Sequence, residues 1–260
     1  MSDFPPPPPP NIPPPPTGAA PGGYVQPSRP FQRIGGLARP LVAVMGAMAV
    51  AQTFSAISGV RAVRNARRFL DGTISEQTYN DAVARVGIGG LVMPLTIAAA
   101  VLTMMWMFRI GANLRAMGRQ GLSWAPAWGI WGWFTPPCIS VVPWLVLQEQ
   151  WKASDPDIAP GDPTWKRRAV SPLVHAWWVL YGIVPLVSTV AGVGSIVDNL
   201  RTAIDNGLDQ SATTQAAAQQ LVDGRNLNLV SGLAQTAAAI VFLLLVRQQT
   251  ARHMRCTGEA

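Results

Sequence analysis

Hydrophobic side chains in this chain come in long uninterrupted runs. Four runs, Pro40–Val60, Val86–Phe108, Ala169–Ile196 and Leu227–Val246, contain no Asp, Glu, Lys or Arg, and only one His, His175. Each reaches the ~20 residues that a helix rising ~1.5 Å per residue needs to cross a ~30 Å hydrocarbon layer. The pattern therefore predicts an all-α integral membrane protein with full spans near 40–60, 86–108, 169–196 and 227–246. A fifth apolar stretch, 124–147, is broken near its middle by Pro136-Pro137. Prolines there remove amide donors and clash with the preceding turn. As a helix, the limb Trp124–Phe134 would reach only ~16 Å, about half a bilayer. The stretch is thus either a kinked fifth span or a re-entrant hairpin shielded by the other helices.

Polar positions mark how the spans are joined. Arg61–Phe69 extends the first helix, Asp71-Gly72 stops it, and Thr73-Ile-Ser-Glu76 has capping-box spacing for a short second helix through about Arg85. The plan returns later, where Val197, Asn199, Arg201, Ile204 and Asp205 match Val63, Asn65, Arg67, Leu70 and Asp71. A turn at Gly207, an Ala/Gln-rich helix and a span ending at Arg247 (compare Arg109) follow, which reads as a duplicated unit of span, outer helical hairpin and span. Residues 1–38 hold Pro5–Pro10 and Pro13–Pro16 with almost nothing apolar to bury. They are expected to be a disordered tail of polyproline II character, serving as a spacer or as a docking arm for a protein partner. The chain divides into that tail, a helical membrane domain over 39–255 and a short C-terminal end, 256–260.

Composition agrees with a membrane. Only 13% of the side chains are charged while 49% are hydrophobic, against roughly 25% charged in an average soluble domain. The net charge of +7 comes from Arg and Lys clustered just outside the apolar runs, a placement that sets orientation and attracts anionic headgroups. With four spans and a re-entrant hairpin, 13 Lys and Arg share the face of both termini against 7 on the other; with five spans the better split is 12 against 8. The rule favours four spans with cytoplasmic termini. No zinc-finger, RNA-recognition or basic-aromatic pattern points to nucleic acid. Cys138 and Cys256 fit neither a disulfide framework nor a metal motif.

Candidate chemistry is sparse. Ala43, Ala47, Ala51, Ser55 and Gly59 recur every four residues, the small-residue stripe that lets helices approach closely, within the chain or between copies in a homo-oligomer. Trp124, Trp128 and Trp131 share one helical face and suit interface anchoring. His175 lies inside an apolar span and is a candidate intramembrane polar site. No Asp or Glu occurs in any span, and HExxH, GxSxG, phosphate-loop and dinucleotide fingerprints are missing. The expectation is a chain without catalytic, metal or cofactor-binding residues, and not an enzyme.

One block stands out: MWMFRIGANLRAMG, then WAPAW with Pro-Pro and VPW, then QEQWKASDP. It resembles a bacterial family of multi-pass membrane proteins known as domain of unknown function four-three-two-eight, over a pattern running roughly from Arg39 to Arg255. Members carry a span ending in Trp and Arg, an Asn-x-Arg-Ala-x-Gly turn, a Pro-containing aromatic segment and a Trp-basic-Ala-Ser-Asp-Pro motif, often behind a Pro-rich N-terminus. The matching positions are Trp106, Arg109, Asn113, Arg115, Ala116, Gly118, Pro137, Pro143, Trp151, Lys152, Ala153, Ser154, Asp155 and Pro156. The resemblance implies an all-helical fold in the bacterial cell membrane, and no activity or cofactor. The function expected is that of a non-enzymatic interaction or envelope-associated component; the alternative is a channel or transporter component with a site near the Pro-broken hairpin.

Overall fold

The computed structural model describes residues 30–84, 89–135, 141–159, 161–205 and 210–259, and all regular structure among them is helical. Most of the Pro-rich tail, Pro136-Pro137 and Cys138 lie outside the described residues. The chain runs through α1 (Gly35–Leu70), α2 (Glu76–Ala84), α3 (Gly89–Ala116), α4 (Trp128–Trp131) and α5 (Val141–Ala153), then a 3₁₀ turn at Pro163–Arg167. It continues through α6 (Pro172–Trp178), a π-helical turn (Val179–Ile183) and α7 (Val184–Asp205), and closes with α8 (Gln210–Asp223) and α9 (Arg225–Thr257). Four helices, Gly35–Leu70, Val92–Ala116, Pro172–Val190 and Arg225–Thr257, are long and apolar enough to cross a membrane. These are the four runs read from the sequence. At most 33% of any of their apolar windows is buried inside the chain, so rows such as Val50, Phe54 and Ile57 on α1 and Met93, Ile97 and Val101 on α3 face outward. That much outward apolar surface supports membrane association.

The core lies where α1, α3, α5 and α9 meet. Leu41 and Met45 of α1, Trp106 and Ile110 of α3, Leu147 of α5, and Phe242 and Leu245 of α9 are buried there. Helices α1 and α9 run antiparallel in close contact, with Gly46 against Leu243 near one end and Gly232 against Ala56 further along. Neither glycine has a side chain to hold the helices apart. The far end of α1 extends beyond its apolar run because α2 and α8 clad it: Ala66, Tyr79 and Ala218 form a small second core. Phe69 stacks on Tyr79 at 5.0 Å. Asp71-Gly72 ends α1 as the sequence predicts, with Gly72 at φ 69°. The cap of α2 differs from the expected one: Ser75, not Thr73, accepts from an amide of the first turn, that of Thr78.

Other expectations shift as well. The tail boundary drawn at residue 38 moves back, because α1 begins at Gly35 and Ile34, Leu37 and Ala38 are buried in the core. At the other end α9 continues through Thr257. The small-residue stripe of α1 mostly points away from the chain's own helices: Ala51 is buried, but Ala43, Ala47 and Ser55 are exposed. The buried face of α1 is instead its Leu and Met row. Both halves nonetheless show the predicted order of a long helix, a short helix and a long helix, α1–α2–α3 and α7–α8–α9.

The central stretch is a hairpin whose first limb is not a continuous helix. Only Trp128–Trp131 is α-helical, since Pro126 precedes it and Gly132 follows. Trp124 therefore sits before the helix and meets Trp128 edge-on at 5.5 Å, not as the next residue of a helical row. The limbs lie antiparallel. At their open end the Glu149 carboxylate accepts from the backbone N–H of Ser123 (2.6 Å) and Trp124 (3.1 Å), and near their closed end Gly132 abuts Val142. The stretch thus leaves the C-terminal end of α3 and returns to it. Trp133 of the first limb packs on Trp177 and Tyr181, and Trp144 of α5 stacks on Trp178 at 4.3 Å, so aromatic rings fasten the hairpin to α6 and the π-helical turn that follows it.

Gly129 makes the hairpin's approach to α3 possible. A Cβ there would lie 2.9 Å from the Phe108 nitrogen and 3.0 Å from the Met107 carbonyl carbon, backbone atoms that cannot swing aside. Gly59, in the interior of α1, has open space where a Cβ would sit. Gly129→Ala is expected to destabilise the protein by about 1–3 kcal/mol through overpacking. Gly59→Ala is expected to stabilise it by about 0.5–1 kcal/mol through helix propensity. Thermal unfolding of both variants in one detergent checks the opposite signs.

Candidate functional site

One stripe of α3, Trp106, Ile110 and Asn113, is buried together with Met117 just beyond the helix and carries the core into a polar junction at the end of the bundle. The helix stops there because Gly118 adopts φ 77°, letting the Gly118 N–H reach the Arg115 carbonyl and the Arg119 N–H the Leu114 carbonyl. This double bond pattern is a Schellman close, which only glycine accommodates without strain. It turns the Arg119 side chain inward, to 6% exposure. The guanidinium donates to the carbonyls of Asp155 (2.8 Å), Ile158 (2.8 Å) and Ala159 (2.6 Å), so one charge organises the whole turn after the hairpin.

That turn is fixed again from its own side. Asp155 accepts from the Asp157 N–H at 3.1 Å and its other oxygen bridges Arg168 (3.0 Å) and Arg252 (2.9 Å). Ser154, fully buried, pairs its hydroxyl with His253 Nδ1 at 2.9 Å and accepts from the Gln249 amide at 3.1 Å. Gln249 also donates to the Gln150 carbonyl, and Gln150 to the Met107 carbonyl of α3. Trp106 donates to Thr250 Oγ1 at 3.0 Å. The Arg252 guanidinium lies 5.1 Å over the Trp151 ring. The ends of α3, α5 and α9 are therefore linked through polar atoms with little access to water.

The segment leading into α1 joins the same end. The Asn113 amide pairs with both backbone groups of Gln32, accepting from its N–H at 2.8 Å and donating to its C=O at 2.9 Å. Arg109 donates to the Arg33 carbonyl. The Glu259 carboxylate accepts from the N–H groups of Ile34 and Gly35. Arg115 holds the first hairpin limb through the Trp124 carbonyl at 3.3 Å.

Ten of the predicted residues thus come to one end: Trp106, Arg109, Asn113, Arg115, Gly118, Trp151, Lys152, Ser154, Asp155 and Pro156. Lys152 lies among them without a bond to another described residue. Pro143 is apart, buried in the first turn of α5 toward the closed end of the hairpin, and Pro137 lies outside the described residues. His175 is also apart: it is exposed, and its Nδ1 accepts from the Trp144 indole at 3.3 Å. Arg119, Gln150, Gln249, Thr250 and His253 carry the junction and were not among the predicted residues. Periodicity held the signal for two of them, Gln249 and His253. Phe242, Leu245, Gln249 and His253 continue one buried face of α9 past the point where hydropathy falls.

The electrostatics follow from burial. His253, beyond the apolar run 227–246, is lowered to about 4 by desolvation and secondarily by the nearby Arg119 charge. Its imidazole is neutral at neutral pH. Burial lowers the Arg119 pKa from its usual value, opposed by Cys256, Asp155 and Asp162, and burial raises the Cys256 thiol. A thiol held protonated, with its Sγ on the Ser154 carbonyl at 3.4 Å, is a poor nucleophile. The arrangement is chemically suited to lock backbone segments together.

Two outcomes are expected. Arg119→Met strands three carbonyls and should lower stability by about 2–4 kcal/mol, read as a fall in thermal midpoint in detergent. The folded pKa of His253 lies below its unfolded value near 6.5, so its contribution is whole above that value and drains away as pH falls toward 4, about 3 kcal/mol in all. His253→Asn should flatten the stability profile between pH 6.5 and 4.5, checked by denaturation midpoints across that range.

Comparison with curated proteins and with solved structures finds no match. The family model described as Domain of unknown function (DUF4328) matches residues 70–251, from the end of α1 into α9. That range holds the Trp106–Pro156 block and the partners Gln249 and Thr250, while Gln32, His253 and Glu259 fall outside it. On the strength of that match over most of its length, the chain belongs to the DUF4328 family.

Proposed function

We propose that this protein is a non-enzymatic, multi-pass component of the bacterial cell membrane. Its basic end, built from the family block, serves as a cytoplasmic platform for a partner. The observation that carries this reading is how the block is used: Asn113, Arg119, Ser154 and Asp155 spend their polar atoms on backbone and on the side chains of His253, Gln249, Arg168 and Arg252, fixing a surface instead of lining a cavity. Charge supports it. Between residues 33 and 259 the end bearing the start of α1 has 12 Lys and Arg against five Asp and Glu, while the segments 61–85 and 198–225 at the other end balance at seven of each. Basic segments stay on the cytoplasmic side, and on this reading the Pro-rich tail would lie on that side too.

A second reading, a transporter or channel component, draws on the π-helical turn at Val179–Ile183, held by Trp133 of the hairpin and packed around buried Gly182. Such turns are frequent at functional sites. It requires solute flux in liposomes above that of empty vesicles.

The platform is tested by impermeant thiol labelling in intact cells, with Cys138 and Cys256 replaced and a single Cys at Gln120 or Gly161. Protection of both positions until the cells are opened is the expected result. Labelling of one but not the other would make the central stretch a fifth span, split the platform between two faces and bring the transporter reading forward.

A further inference from the structure

A cavity of about 540 Å³ opens where the start of α1 meets the end of α9. Its wall is amphipathic: Arg33 and Arg39 supply two guanidinium groups, Phe31 and Met254 an apolar side, and Glu259 a carboxylate. Both arginines are exposed, and neither guanidinium bonds or pairs with a described residue, unlike Arg119, Arg168 and Arg252 nearby. Glu259 is committed to the Ile34 and Gly35 amides at 3.0 and 3.1 Å. Its two oxygens keep lone pairs for a donor from a ligand.

Depth in the bundle decides what such a cavity can meet. Gly46 of α1 lies against Leu243 of α9, and Gly35 against Met254. The cavity therefore begins about one helical turn beyond the level where the apolar runs starting at Pro40 and ending at Val246 give out. On the membrane reading proposed above, on which this inference rests, that is the headgroup layer. Two free guanidiniums select a phosphate, with which they form charge-assisted, bidentate bonds. The apolar side suits the glycerol and upper chain of a lipid, and the Glu259 carboxylate suits headgroup hydroxyls.

We propose that this cavity binds a phosphodiester group, supplied by an anionic phospholipid whose headgroup carries hydroxyls, phosphatidylglycerol being the simplest example. The lipid pins the start of α1 to the end of α9 at the edge of the basic platform.

The test is native mass spectrometry and thermal unfolding of the full chain in a neutral detergent, titrated with phosphatidylglycerol, phosphatidylcholine or inorganic phosphate. The wild type is expected to retain phosphatidylglycerol in preference to phosphatidylcholine and to unfold at a higher temperature with it. R33Q/R39Q should bind roughly thirtyfold more weakly and lose that thermal shift. R61Q/R64Q, at the opposite end, should bind as the wild type does. The midpoint of R33Q/R39Q without lipid should match the wild type, since neither guanidinium is bonded to a described residue. Equal retention of both lipids, or undiminished binding by R33Q/R39Q, overturns the site. Saturation by inorganic phosphate with no retention of phosphatidylglycerol overturns the lipid as the source. Binding in detergent does not depend on which membrane face the loops occupy, so this result and the labelling result can fail separately.

Discussion

A guanidinium buried at 6% exposure sets the terms for everything around it. Desolvating a charge costs several kcal/mol, and Arg119 meets that cost with three carbonyls of one tight turn. Those carbonyls are available only if 154–159 curls around the guanidinium, so the hairpin must end where α3 ends. The Asp155 carboxylate cannot neutralise Arg119 alone, because Arg168 and Arg252 already share it. Three arginines face one carboxylate, and a further positive charge is disfavoured. Burial is the main reason that His253, adjacent through Ser154, is held neutral, and the nearby Arg119 charge adds to it.

Polar clusters of this kind buy specificity at a cost in stability. An apolar contact at the end of the bundle would permit several registers of α9 against α3 and α5. The bonds from Gln249 to the Gln150 carbonyl, from Gln150 to the Met107 carbonyl and from Trp106 to Thr250 each require one register. The aromatic contacts of the hairpin do the complementary task at its closed end, where Trp133, Trp144, Trp177, Trp178 and Tyr181 fill the space with large rigid rings. The hairpin is thus fixed at one end by hydrogen-bond geometry and at the other by shape.

The long apolar helices were legible because hydropathy over twenty residues is a strong signal, and Gly72 and Gly118 were legible because a left-handed turn calls for glycine. The family block drew attention to Asn113, Ser154 and Asp155, whose polar atoms are bonded in the junction. Arg119 escaped because a basic residue at a span end reads as a headgroup contact, and only the tertiary fold aims it inward. His253 escaped for a similar reason: among Arg252, Arg255 and the chain end it reads as a solvated tail, although its spacing from Gln249 and Leu245 places it on the buried face. The first hairpin limb was misread as helix because its Trp spacing is helical, whereas Pro126 and the close backbone contact at Gly129 restrict the helix to one turn. His175 lies apart from the junction, exposed and bonded to the Trp144 indole, since isolation in an apolar run says nothing of which way the side chain points.

The two ends of the bundle differ in what holds them. At the end with balanced charge, α1, α2 and α8 meet through the small apolar core of Ala66, Tyr79 and Ala218, which tolerates small displacements. At the basic end, α1 is tied to α3 through Asn113 and Gln32, α3 to the hairpin through Arg119, and the hairpin to α9 through Ser154. Hydrogen bonds weaken steeply with misalignment, so displacing any one member strains the rest. The stiffness is therefore concentrated beneath the surface that carries the excess of basic side chains. On the proposed reading, such a base would keep the spacing of a charged surface on which Lys166 and Arg167 are exposed and Lys152 half-buried, above bonds that none of the three is needed to make.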